Sequence, residues 1–495
     1  MILLAVLVTG GFAAGVSNRP NIVLIMADDL GWGDVAFNGN PKVKTPALDR
    51  LAREGVQLDR FYAGAPVCTP TRASCLTGRN PNRSGTEWAG SYPLPLEEIT
   101  LAEVLRDEGY RTGHFGKWHL GKMTPDRKEG FGEDKPPHTY VGPWHQGFET
   151  CFSTESATPN YNPAVWGQDW DLGTRDSNGN QYIMDRPIVY GEGTLTGKAM
   201  RPWPFSWWLG EGRKAPDTIA GDSSELIVNH AIPFIEEAAK SSMPFLAVIW
   251  FVTPHSPVAA GPEFRALYPD LPIREQHWFG AISALDAQVD RVLSTLRRHG
   301  LEENTIVWFC SDNGPSWVHE LNSAGPFRGK KSEVYEGGIR VPAIVRWPAA
   351  IQGGRKLEQV FSTNDFLPTL IAACGAKPTR LPVLDGEDVL PILQGRQPAR
   401  DRPLFFDYPY RDVSNVSWVP TNKRQAAIID GSWKLVSVDD LQTFALYNLE
   451  QDRAEDHDLA ADHPARVEAM KRAFAEWRAS CAASRVGADY PPTAK

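Results

Sequence analysis

Two pairs of oxygen-bearing residues, Asp28-Asp29 and Asp312-Asn313, each follow a short apolar run in this chain. Adjacent carboxylates repel one another unless a cation neutralises them. Three carboxylates with one amide oxygen make an all-oxygen donor set, which suits a hard cation, calcium or magnesium. Taken singly each pair is ordinary, because Asp-Asp caps helices and turns and Asp-Asn-Gly is common turn chemistry. Lys117 and His119 lie in the Gly-punctuated segment Gly113-His114-Phe115-Gly116-Lys117-Trp118-His119-Leu120-Gly121. Alternation along an extended backbone there puts both side chains on one side. A lysine holds an anion as a point charge, and an imidazole exchanges a proton near neutral pH. His255, within Thr253-Pro254-His255-Ser256-Pro257, occupies a turn stiffened by proline. An imidazole so placed can protonate a leaving alkoxide. Lys331 belongs to the basic loop Arg328-Gly329-Lys330-Lys331, ahead of a Gly-Gly turn and a strand. Cys68 begins Cys68-Thr69-Pro70-Thr71-Arg72, where a thiol, a proline and an arginine alternate.

Positioning these residues requires rigid elements beneath them. The runs 21–26, 245–252 and 305–310 are short, apolar and rich in β-branched and aromatic residues, the pattern of fully buried strands in a mostly parallel sheet. Open α/β sheets bind ligands at the carboxyl ends of their strands. Endings in Asp28-Asp29, Thr253-Pro254-His255 and Ser311-Asp312-Asn313-Gly314 therefore predict convergence on one site. Thr100-Leu101-Ala102-Glu103 has capping-box spacing for a helix that stops near Gly109. Residues 275–298 carry Phe279, Ile282, Leu285, Val289 and Leu293 at helical spacing, a helix that covers one face of the sheet. Residues 123–217 lose periodicity and read as long loops over the site. Beyond Gly375, residues 402–407, 425–438 and 445–449 read as strands of a smaller antiparallel sheet, and 464–482 as a terminal helix. No internal repeat is present.

A length of 495 residues with 42% hydrophobic content favours two domains, placed at 19–380 and 381–495. The balance of 51 Lys+Arg against 60 Asp+Glu gives a net charge of -9, and no basic run suits nucleic acid. An anionic substrate would need local cations. The apolar start Met1 to Val8, followed by Ala13-Ala14-Gly15, reads as a secretory signal peptide over 1–18, though without the usual basic n-region. The expected location is periplasmic or secreted. No later apolar run is long enough to span a bilayer. Six cysteines, at 68, 75, 151, 310, 374 and 481, lack the spacing of a stapled mini-protein. Cys310 falls in an apolar run and reads as core.

The stretch Cys68-Thr69-Pro70-Thr71-Arg72, running on into Ala73-Ser74-Cys75-Leu76-Thr77-Gly78-Arg79, resembles the signature that type I sulfatases carry around the cysteine they oxidise to formylglycine. From about Arg19 to the C-terminus the chain looks like a type I sulfatase of the alkaline phosphatase superfamily. The matching segments follow in order: the strand ending in Asp28-Asp29, the Cys68 signature, Gly116-Lys117-Trp118-His119, Thr253-Pro254-His255, Ser311-Asp312-Asn313-Gly314, and Tyr335-Glu336-Gly337-Gly338-Ile339-Arg340-Val341-Pro342. Tyr447-Asn448-Leu449-Glu450, with Asp452 and Glu455, resembles the family's tail motif.

The resemblance implies a large α/β domain, alkaline phosphatase-like with a mostly parallel central sheet, plus a smaller C-terminal α+β domain with an antiparallel sheet. It implies calcium, with magnesium as the other option, held by Asp28, Asp29, Asp312 and Asn313 and by the modified Cys68. In the family the aldehyde hydrates to a geminal diol. One hydroxyl attacks the sulfur of a sulfate ester, and the second expels the bound sulfate; an ordinary serine or cysteine would stay sulfated. Arg72 would hold the hydrate, Lys117 would bridge it and the sulfate, and His119 would take a proton during sulfate release. His255 and Lys331 would bind the sulfate and stabilise or protonate the leaving oxygen. The implied partner is a formylglycine-generating or anaerobic sulfatase-maturating enzyme. With Cys68 converted, five thiols remain, so at least one is unpaired, and Cys75 is the expected one.

Substrate identity rests on thinner signals. Trp144, Trp166, Trp170, Trp203, Trp207 and Trp208 populate the loop region, and Trp317, His319 and Glu320 follow the metal motif. Aromatic faces suit sugar rings, so a sulfated carbohydrate is expected over a simple aryl sulfate. The competing readings are a phosphodiesterase or phosphonate monoester hydrolase of the same superfamily, a two-zinc phosphatase, and a sulfated-glycan binding protein that has lost turnover. A two-zinc phosphatase would more naturally place Thr or Ser at position 68.

Overall fold

An apolar run with no polar alternation must be covered on both faces, and three such runs form the middle of a nine-stranded sheet. The computed structural model describes residues 19–89, 93–125, 140–162, 165–166, 201–202, 205–216, 220–316, 321–409 and 423–490. The expected signal peptide at 1–18, Trp170, Trp203, Trp317, His319 and Glu320 lie outside them, and the Trp166 side chain is likewise not described. The strands in chain order are β1 (Asn21–Ala27), β2 (Val56–Tyr62), β3 (Arg111–Lys117) and β4 (Thr150–Thr154); β5 (Val165–Trp166) and β6 (Arg201–Pro202), which form a separate ribbon; and β7 (Trp207–Trp208), β8 (Phe245–Trp250), β9 (Thr305–Ser311), β10 (Ala343–Arg346) and β11 (Arg355–Ser362). The sheet order is β11-β2-β10-β9-β1-β8-β3-β4-β7. Only β10 and β7 run against the others.

Strand β1 shows why the centre is apolar throughout. Ile22, Leu24 and Met26 enter one core, while Val23, Ile25 and Ala27 enter the other. Helices Ser223–Ser241 and Ile273–Arg298 cover the second face, and Leu101–Asp107 and Phe366–Cys374 the first. The capping box forms as expected: Glu103 N donates to Thr100 Oγ1 at 3.2 Å and Thr100 N donates to Glu103 Oε2 at 2.9 Å. No helix among the described residues is long and apolar enough to cross a membrane. All six cysteines are buried and free.

The reading of 123–217 as loops is corrected by four short strands within it, two of which join the main sheet. β4 pairs in parallel with β3, and β7 adds an antiparallel edge. Two- and five-residue strands are too short to display a period. Trp207 and Trp208 are buried, and Trp207 stacks on Phe152 with centroids 4.7 Å apart. They fill the core rather than offering faces to sugar rings. Trp144 is partly buried and packs against the core beside Tyr140 and His145.

A second sheet follows, β12 (Leu404–Tyr408), β13 (Gln425–Asp430), β14 (Trp433–Ser437) and β15 (Ala445–Asn448), antiparallel throughout. Met470, Phe474 and Trp477 of the terminal helix Pro464–Arg485 cover one face. The other face meets the large sheet through an apolar cluster in which Phe406 and Val436 join Tyr62 and Val360, and through buried charges. Lys434 Nζ lies 2.9 Å from both Glu336 and Glu455. Arg340 reaches Glu336 at 3.1 Å and Asp59 at 2.7 Å, and Tyr62 donates to Glu336 at 2.9 Å. Removing one member strands the rest without compensation. Lys434→Ala is therefore expected to lower stability by about 3–5 kcal/mol, read from the urea unfolding midpoint. A loss below about 1 kcal/mol, the scale of an exposed pair, would refute that coupling.

Candidate active site

The carboxyl ends of β1, β9, β3 and β8 carry the polar residues along one edge of the sheet. β1 runs into Asp28-Asp29, β9 into Asp312-Asn313, β3 ends on Lys117, and His255 follows β8. Helix Cys68–Thr77 points its first residue into the same space, and every one of its residues is buried. Lys331 arrives on the loop that precedes β10. The structure thus brings together all ten of the residues that the sequence proposes for metal and sulfate. Trp317 and His319 lie outside the described residues.

Opposite charges are paired closely. Lys117 Nζ sits 3.0 and 2.8 Å from the Asp28 oxygens, and Lys331 Nζ 2.6 and 2.9 Å from those of Asp29. Arg72 Nη2 donates to Asp312 Oδ2 at 2.8 Å and lies 3.5 Å from Asp28, while its Nη1 donates to the Lys117 carbonyl at 2.9 Å. The guanidinium also rests 5.2 Å from the Trp250 ring centroid. Burial raises the Asp29 carboxyl, but Lys331, His255 and Lys117 outweigh it and hold it well below the usual range. Burial and then Asp28 push Asp312 up to about 7 against the pull of Arg72. Lys331 is held charged, its carboxylate neighbours outweighing burial.

The donor set fits a hard cation. Ligand atoms of Asp28, Cys68 and Asp312 lie within 4.8 Å of one another, as do those of Asp28, Asp29 and His255. Asn313 spends its Nδ2 on Asp29 Oδ1 at 2.7 Å and the Gly314 carbonyl at 2.8 Å. Its Oδ1 is buried with no hydrogen-bond partner. An orphaned amide oxygen among three carboxylates is what calcium or magnesium takes up.

Cys68 Sγ lies 3.2 Å from His119 Nδ1. Burial pushes the thiol up against Lys117 and Lys331, and burial, Lys117 and Arg72 push His119 well below its ordinary value. The pair is thus a neutral thiol beside a neutral base. Lys117 and His119 do not reach the site by strand alternation. β3 ends at Lys117, and His119 turns back in a left-handed conformation, φ 56°, with Asp29 at φ 64°. Such φ values in non-glycine residues cost about 1–3 kcal/mol each and cluster at functional sites. Thr69 Oγ1 donates to the His119 carbonyl at 2.8 Å and fixes that turn to the Cys68 helix. His114, on the same strand, packs among Trp118, Phe148 and Trp250 instead and serves the core. Asn160, which no spacing in the sequence marks, bonds the turn carrying His255.

The sulfatase family profile matches residues 20–376, and that of the N-sulphoglucosamine sulphohydrolase C-terminal region matches 328–479. Steryl-sulfatase of Rattus norvegicus is 32% identical over 460 residues, covering 81% of this chain and 75% of its own length. N-acetylgalactosamine-6-sulfatase of Mus musculus is 32% identical over 426 residues, covering 82% and 72%. The crystal structure of Ps i-CgsB in complex with k-i-k-neocarrahexaose superposes with a TM-score of 0.73 at 26% identity, covering 93% of both chains. On these likenesses the chain belongs to the type I sulfatase family of the alkaline phosphatase superfamily and is a sulfate ester hydrolase.

Proposed function

We propose that the chain removes sulfate from a sulfated carbohydrate, with Cys68 converted to formylglycine and calcium bound by Asp28, Asp29, Asp312, Asn313 and the converted residue. The observation that carries this reading is the orphaned Asn313 Oδ1 among three carboxylates, next to Cys68 and three fixed cations. The neutral, buried thiol also supports conversion, because an unmodified Cys68 would be a poor nucleophile.

The bound calcium would supply positive charge to sulfate oxygens as charge develops. The converted Cys68 would supply an oxygen nucleophile with a second hydroxyl for release. The rest falls to side chains of this chain. Arg72 holds the end of the Cys68 helix by bonding across to Asp312. Lys117 and Lys331 receive the sulfate anion, and His119, neutral and 3.2 Å from Sγ, takes the proton of the second hydroxyl as sulfate is released. Lys331 faces the leaving oxygen as a fixed donor where negative charge accumulates, and His255 joins it as the imidazolium, with Nε2–H toward that oxygen. The net change is a sulfate monoester plus water giving an alcohol and hydrogen sulfate.

A carbohydrate is favoured because two of the similar proteins name sugars, N-acetylgalactosamine and neocarrahexaose. The apolar residues 1–8 support export to the periplasm or outside the cell, and the two sheets support domains at 19–380 and 381–495. The test is the mass of the tryptic peptide holding Cys68, from protein made with a formylglycine-generating or anaerobic maturating enzyme. An aldehyde in place of the thiol is expected, with turnover of sulfated sugars above that of phosphonate esters. An unmodified thiol in active protein, or faster phosphorus-ester turnover, would overturn the reading.

A further inference from the structure

Of the groups proposed to meet the leaving oxygen, His255 alone is carried by a turn with few donors of its own. Pro254 and Pro257 lack N–H groups. His255 N donates to the Val252 carbonyl at 3.1 Å and closes the turn. Within the ring, Nδ1 sits 2.6 Å from the Ser256 carbonyl, which only accepts, so Nδ1 carries the proton there. That leaves Nε2 for the site, 3.6 Å from Asp29 Oδ2, where it serves the leaving oxygen as a donor in the imidazolium, both of whose nitrogens carry protons. The ring direction therefore depends on where the carbonyls of this turn are held.

Asn160 holds them. Its Nδ2 lies 3.2 Å from the Val252 carbonyl and 3.2 Å from that of His255, so one amide nitrogen spans both ends of the turn. Its backbone N donates to the Pro257 carbonyl at 3.3 Å. Its own carbonyl accepts from Ser223 N at 2.8 Å, the first residue of helix Ser223–Ser241. Asn160 is fully buried and does not itself reach a substrate. Two N–H groups on one nitrogen are required at this place, which aspartate, serine and alanine do not supply.

We propose that Asn160 is a positioning residue for leaving-group departure, setting His255 Nε2 against the ester oxygen; the proposal rests on the sulfatase reading. Small displacements of a catalytic group cost up to about 10²-fold, and the help a leaving oxygen needs grows with its basicity. Asn160→Ala and Asn160→Asp are therefore expected to lower kcat/KM for sulfated sugars by about 10- to 100-fold. The loss should shrink progressively along a series of aryl sulfates as the leaving phenol becomes more acidic. In a His255→Gln background the same substitutions should add almost nothing, because coupled residues are not additive. Asn160→Ser, which keeps one donor, should give an intermediate loss and supplies the comparison should the other variants fail to fold. Equal losses across all leaving groups, or full additivity with His255→Gln, would reduce Asn160 to a structural residue and overturn the proposal. A wild-type protein that turns over no sulfate ester would instead overturn the sulfatase reading beneath it.

Discussion

Cys68→Ala is expected to lower sulfate ester turnover by about 10³-fold or more, the scale on which nucleophile deletions are felt. The position has little room for substitution by a neighbour. The helix that presents it is buried along its whole length, and the five other cysteines are scattered through the hydrophobic clusters. Cys68→Ser separates attack from release. A hydroxyl can be sulfated once, but it has no second oxygen with which to expel the sulfate. Its peptide should gain the mass of one SO₃ after exposure to substrate, with no steady turnover. Steady turnover by Cys68→Ala would remove Cys68 from the mechanism.

Chelation is expected to cost about 10²–10³-fold in rate, as losing one preorganised electrostatic partner does. Calcium or magnesium should restore activity better than zinc, since the donors are oxygens. The charge balance explains the size. With Asp312 ionised, Asp28, Asp29 and Asp312 face Arg72, Lys117 and Lys331, and the six charges cancel among themselves. A divalent cation gives the site the surplus that a sulfate monoester needs. Added calcium should also raise the thermal midpoint of metal-stripped protein in proportion to the logarithm of its concentration, and Asp312→Asn should flatten that response. Full activity after chelation, or best recovery with zinc, would defeat the assignment.

The legibility of the chain follows burial and length. β1, β8 and β9 were readable because a strand covered on both faces carries five or six apolar residues in a row. Their endings carried the acidic pairs and His255 into view together. β3, with Arg111, His114 and two glycines, has no such run, and β4 and β7 are too short for one. Charges buried in pairs were harder still. Glu336, Arg340 and Lys434 look in sequence like any solvated residues, and only the fold shows that each is wholly enclosed. Asn160 left no trace, because its work is done through backbone carbonyls nearly a hundred positions away, whose residue types are irrelevant to the bond.

The charges shared between the two sheets also decide how this enzyme can be cut or borrowed. Lys331 lies five positions before Glu336, and Glu336 takes its neutralising ammonium from β14. A gene fragment ending at residue 376, where the sulfatase profile stops, would express the acidic cluster, the Cys68 helix and Lys331. It would also leave Glu336 short of its ammonium and Asp59 without Arg453, in a surface built to be dry. The two sheets are separate in shape and inseparable in inheritance. Recombination that trades the C-terminal sheet between relatives has to carry Lys434, Arg453 and Glu455 across as a set, or lose the loop that supplies the lysine paired with Asp29.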